Sequence, residues 1–171
     1  IAKEMGLKGV VFHTGRLAGF RVEYYLTQWK EQNAAFFRKL AEEYPDQQIY
    51  MENMFDEAPD VLAGLAEEMK ETRNFGVCLD YAHAALTGCS GKEWVETLAG
   101  CTRHIHINDN DLKNDLHLPL GTGQIDWRAF DDLLRENQVE ASVLIEVNGY
   151  EAQKKSLAYM TQHNLYPLNN C

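Results

Sequence analysis

The stretch RHIHIN, Arg103–Asn108, alternates histidine with isoleucine. A strand points successive side chains to opposite faces, so His104 and His106 share one face and Ile105 and Ile107 the other. One face suits packing under helices, and the other is ionisable. Short β-rich runs recur on both sides of it. Upstream lie Gly9–His13 (GVVFH), Gln48–Glu52 (QIYME) and Phe75–Asp80 (FGVCLD); downstream lies Ser142–Val147 (SVLIEV). Longer helical patterns separate them. Val22–Glu43 carries Val22, Tyr25, Leu26, Trp29, Phe36, Phe37 and Leu40 at helical spacing. Pro59 suits a first helical turn, ahead of Val61, Leu62, Leu65 and Met69 along one face. Lys92–Leu98 reads as a short helix, and Ala152–His163 as a closing one. Asp126 reads as the N-cap of a helix carrying Trp127, Phe130, Leu133 and Leu134. Strands alternating with helices predict βαβ units, a parallel sheet and right-handed crossovers. No linker, repeat or low-complexity tract interrupts the pattern, which predicts a single domain over residues 1–171.

Bulk properties narrow the function classes. The chain has 171 residues, 45% of them hydrophobic, enough for one domain with a real core. No apolar run approaches the ~20 residues of a membrane helix, and no basic-then-apolar leader opens the sequence. The cysteines at 78, 89, 101 and 171 form no CxxC pair, which fits reduced thiols and a cytoplasmic location. A net charge of −10 without a Lys/Arg cluster argues against nucleic acid as the main partner.

Each strand delivers an ionisable residue at or near its C-terminal end. In chain order these are His13, Glu52, Asp80 with His83 just beyond, His106, and Glu146. In parallel α/β folds these ends share one edge, where sites are built. Singly, each has a plainer reading: Asp80 caps the following turn, and Glu52 is a surface charge. Together they form a mixed oxygen and nitrogen donor set suited to Mn²⁺, Mg²⁺, Co²⁺ or Zn²⁺, with no cysteine. His104 lies one layer deeper than His106. The loop HINDNDLKNDLHLPLGTGQIDW, His106–Trp127, adds a D-x-H pair, Asp115 and His117, as second-metal or substrate groups. The plainer of the readings open for its Asn108–Asp111 run is solvated turn residues.

The stretches YMEN, GVCLDYAHA, HIHINDND, DLHLPLGTGQIDW and VLIEV resemble, in order and through almost the whole chain, the xylose isomerase-like TIM-barrel superfamily. It holds sugar phosphate isomerases and epimerases, ketose 3-epimerases, inosose dehydratase-type enzymes and endonuclease IV. The resemblance implies an α/β fold, a (β/α)₈ barrel, and one divalent metal held by Glu52, Asp80, His106 and Glu146. It further implies that Glu52 and Glu146 exchange protons with a sugar or sugar phosphate through an enediolate. His83 matches a position that contacts substrate or a further metal. One departure is Leu112, where ketose 3-epimerases carry arginine six residues after the metal histidine. The alternative reading is an endonuclease IV-like, zinc-dependent enzyme acting at abasic sites. It would use His13, Glu52, Asp80, His83, His106, Asp115, His117 and Glu146.

Length sets a further expectation. A complete barrel needs about 250 residues. The five strands match the last five of eight, so the first three βα units are expected to be absent. Either a longer N-terminus or a second copy of the chain would then close the sheet, and a barrel fragment without activity is the remaining alternative.

Overall fold

The computed structural model describes residues 1–168; Cys171 lies outside them. Five parallel strands pair in sequence order. They are β1 (Gly9–His13), β2 (Gln48–Glu52), β3 (Phe75–Asp80), β4 (Thr102–Ile107) and β5 (Ser142–Ile145). The first three match the sequence expectation. β4 begins one residue early. β5 stops at Ile145, so Glu146 sits just past the strand, although its N–H still donates to the Ile107 carbonyl at 2.9 Å.

Helices cover one face of the sheet, which curls as an open half-barrel. They are α1 (Glu23–Glu43), α2 (Asp60–Glu68), α3 (Tyr81–Ala85), α4 (Gly91–Leu98), α5 (Trp127–Glu136) and α6 (Tyr150–His163). Caps explain several starts. Asp126 accepts from the Ala129 N–H and Ser90 from the Glu93 N–H, each satisfying a helix-start donor. The short helix α3 had no counterpart in the periodicity, because five residues carry too little of it.

Ile105 and Ile107 face the helices, buried with Trp127, Phe130 and Leu134 of α5. Burying each large apolar side chain contributes ~1.5–3 kcal/mol. Strand register brings the C-terminal ends level. Glu52 pairs with His13 on one side and Cys78 on the other, and Asp80 pairs with His106. Among the described residues, β1 and β5 each have a strand on one side only. None of these residues forms a helix long and apolar enough to cross a membrane.

Candidate metal centre

Donor atoms of Glu52, Asp80, His106 and Glu146 all lie within 4.8 Å of one another. His106 Nδ1 stands 3.1 Å from Glu52 Oε1 and 3.1 Å from Glu146 Oε2. Burial opposes a charge on His106. The Cys78 thiol and the Glu146 and Glu52 carboxylates outweigh it and push the imidazole up to about 12. A proton on Nδ1 thus offsets the two carboxylates, a task that a divalent cation held there would take over. Burial pushes Asp80 up to about 7, against the pull of His83. Its Oδ1 accepts the His83 N–H at 2.7 Å and caps α3. Asp80 is therefore cap and candidate ligand at once.

Asn53 fixes this geometry. Its side chain donates to the Asp80 carbonyl at 2.8 Å and accepts the Asp80 N–H at 2.9 Å. Its own carbonyl lies 2.9 Å from His83 Nδ1. A carbonyl only accepts, so that nitrogen carries the proton and Nε2 is left free as a candidate donor atom. The same holds at His117, whose Nδ1 meets the Glu146 carbonyl at 2.9 Å. Both Nε2 atoms face Asp115 Oδ2, at 3.4 Å from His83 and 3.3 Å from His117. His83, Asp115 and His117 thus form a second donor group. It adjoins the first, since His83 Nδ1 is 3.6 Å from Asp80 Oδ2.

The donor sets fit a cation on an independent count. Among the described residues, eight buried side-chain polar atoms have no hydrogen-bond partner. Four of them are Asp80 Oδ2, His83 Nε2, Asp115 Oδ1 and Glu146 Oε2. Leaving a buried polar atom unmatched costs ~1–3 kcal/mol, so such a concentration points to a ligand.

Other expected residues sit at the margin. His13 Nε2 is 3.4 Å from Glu52 Oε2, but its side chain is 59% exposed and it joins neither group. His104 stacks on Tyr50 at 5.0 Å and meets His106 edge-on at 5.1 Å, one layer down. The sequence had left cysteine out. The structure nevertheless places Cys78 with His104 and His106 as a third group. Burial pushes that thiol up to about 12, which keeps it protonated and a poor ligand.

The Asn/Asp run departs from its expected solvation. Asn108, Asp109 and Asn110 are fully buried. Asp109 accepts from the Asn110, Ile125 and Gly121 N–H groups and from Trp127 Nε1, at 2.8–3.2 Å. It holds the loop that carries Asp115 and His117. A D-N pair before a Gly-rich turn carries no signal that distinguishes this anchor from an exposed turn. Sequence reading also missed Arg16, whose buried guanidinium pairs with Asp56 at 3.0 Å and with Glu57.

A parallel half-barrel with carboxylates and imidazoles gathered at its C-terminal strand ends defines a class of α/β barrel proteins. The chain belongs to the xylose isomerase-like TIM barrel family, whose model matches residues 1–163. It is 27% identical over 157 residues to a probable endonuclease 4 of Protochlamydia amoebophila strain UWE25, covering 79% of this chain and 54% of that protein. The TTHB071 protein of Thermus thermophilus, from crystals soaked with ZnCl2, matches with TM-score 0.73 and 25% identity over 94% of this chain and 63% of that one. A D-tagatose 3-epimerase-like protein matches in fold with TM-score 0.76 and 24% identity over 99% of this chain and 66% of the other. The chain thus spans about half to just under two thirds of these relatives.

Proposed function

We propose that this chain carries the cation-binding and acid/base residues of an isomerase or epimerase acting on a sugar or sugar phosphate. The observation that carries the reading is the convergence of Glu52 and Glu146 on one nitrogen of His106, from opposite parts of the sheet. Glu52, Asp80, His106 and Glu146 would hold a divalent cation. When bound, that cation polarises the substrate carbonyl and offsets the charge of the enediolate.

The two glutamates would do the proton work. His106 holds Glu146 below the usual carboxylate range against its partial burial, so it is ionised. It is also 36% exposed, whereas Glu52 is buried. Glu146 would take the proton from the carbon beside the carbonyl, and Glu52 would return one from the other side. Asn53 fixes Asp80 and His83, while the Asp109-anchored loop brings His117 beside Glu146. The domain reading is one unit, the C-terminal part of a barrel. The test is deuterium uptake from solvent by a panel of ketoses and their phosphates, with Mn²⁺ and the intact gene product. Absence of uptake by every sugar would refute the reading.

A second reading is favoured by the adjoining His83–Asp115–His117 group and the probable endonuclease 4 relative: zinc-dependent cleavage at abasic DNA. Metal stoichiometry separates the two. Three tightly held zinc ions per chain would favour the nuclease, and one exchangeable Mn²⁺ or Mg²⁺ the isomerase.

A further inference from the structure

We propose that the cavity beside His83 is a subsite for an uncharged ring carried by the substrate. Resting on the isomerase reading above, this narrows the substrate class to keto-sugars bearing such a ring, an aglycone for example, in place of sugar phosphates. The cavity measures about 220 Å³. Met54 and Phe55 of the loop after β2 form one wall, and Leu86, Thr87 and Gly88 after α3 form the other. His83 joins it to the metal centre. Whole-ligand pockets run to ~300–1,000 Å³, so this one holds a substituent while the sugar lies toward Glu52.

Three observations set the chemistry of the occupant. Phe55 is 61% exposed, with its ring 6.4 Å from that of His83, so an aromatic face is presented to whatever enters. The Thr87 hydroxyl is already engaged. It donates to the Ala84 carbonyl at 2.8 Å and accepts Trp94 Nε1 at 3.1 Å, leaving mainly apolar surface on that wall. The ionisable groups lining the cavity are His83 and the carboxylates Asp56 and Glu57, and no Lys or Arg is among the described residues lining it. The neighbouring Arg16 is buried and committed to both of them. With Arg16 and Arg21 paired to carboxylates and no Lys or Arg in the lining, no free guanidinium or ammonium receives a phosphate there, whereas an uncharged ring meets Phe55, Met54 and Leu86.

Gly88 supplies a clean test. A Cβ built there meets nothing within 4 Å, and its backbone is not in the left-handed region, so Gly88→Leu adds bulk at the cavity wall without strain. Phe55→Ala removes the exposed platform. Binding of phenyl β-D-glucoside, methyl β-D-glucoside and glucose 6-phosphate would be measured by calorimetry on the Mn²⁺-supplemented protein. The phenyl glycoside should bind about tenfold tighter than the methyl one. Both substitutions should reduce that ratio to below about twofold, with methyl glucoside and Mn²⁺ affinities unchanged. Glucose 6-phosphate should bind no tighter than methyl glucoside. Equal binding of the two glycosides by the unaltered protein, survival of the preference in both variants, or tighter binding of the phosphate would overturn the subsite. Failure of the proton-transfer reading would appear elsewhere, as absent deuterium uptake with the phenyl preference intact.

Discussion

Asp80 and Asp109 are both fully buried aspartates at the C-terminal edge of one sheet, yet their surroundings differ sharply. Asp109 accepts four N–H donors, two on each oxygen. Asp80 accepts one backbone N–H on Oδ1, and its Oδ2 has no hydrogen-bond partner among the described residues. A buried carboxylate fully matched by donors stabilises the structure around it. One left half matched destabilises the cation-free fold and is kept for what it can bind. Burial alone therefore does not separate structural from functional acids here; the tally of donors does.

The largest effect should come from Asp109→Asn, which turns one oxygen into an NH₂ facing N–H donors. Melting in urea should show a loss of about 3–5 kcal/mol. A loss under about 1 kcal/mol would break the contrast. Asp80→Asn keeps the oxygen that caps α3 and removes the charge. Its cation affinity, by competition against a chelating dye, should fall by at least about 100-fold, while the cation-free melting midpoint does not drop. A drop in stability without loss of cation affinity would reassign Asp80 as structural.

Asn53→Ala sharpens the comparison by releasing the Asp80 backbone while sparing its carboxylate. Cation affinity should fall by about tenfold, with ~1–3 kcal/mol lost in stability. The smallest effect belongs to Glu57. Burial pushes that carboxyl up, but the Gly19 N–H and the Arg16 guanidinium outweigh it and hold it at about 2 instead of 4.5. A folded value below the ordinary one means the contribution is present above 4.5 and is lost as pH falls toward 2. Glu57→Gln should therefore lower the melting midpoint at pH 7, and the difference should shrink by pH 3. The pair is partly exposed, so the shift should be small and should diminish in high salt.

The strands were readable because each is short, β-rich and bounded by turn residues. RHIHIN even gave the correct faces: Ile105 and Ile107 pack under α5, and His106 faces Glu52 and Glu146. Glu146 was readable as a rim residue even though β5 ends before it, since one further extended residue keeps it at the edge. The Asn108–Asp111 run was not readable. Asn and Asp favour exposed turns locally, and donors a dozen or more residues downstream, from Gly121, Ile125 and Trp127, make the burial of Asp109 favourable. Arg16 with Asp56 was hidden likewise, because that pair closes across forty residues of intervening chain.

Local chemistry in the sequence determined the βα order, the parallel sheet and the spacing of Glu52, Asp80, His106 and Glu146 along successive strand ends, because side-chain period and capping act over a few residues. Only the tertiary structure decided which nitrogen of His83 and His117 is left to ligate, which aspartate is satisfied, and that a ring-sized cavity opens beside Phe55. Those outcomes depend on distances between groups remote in the chain, which the packing of strands and loops in the folded chain fixes.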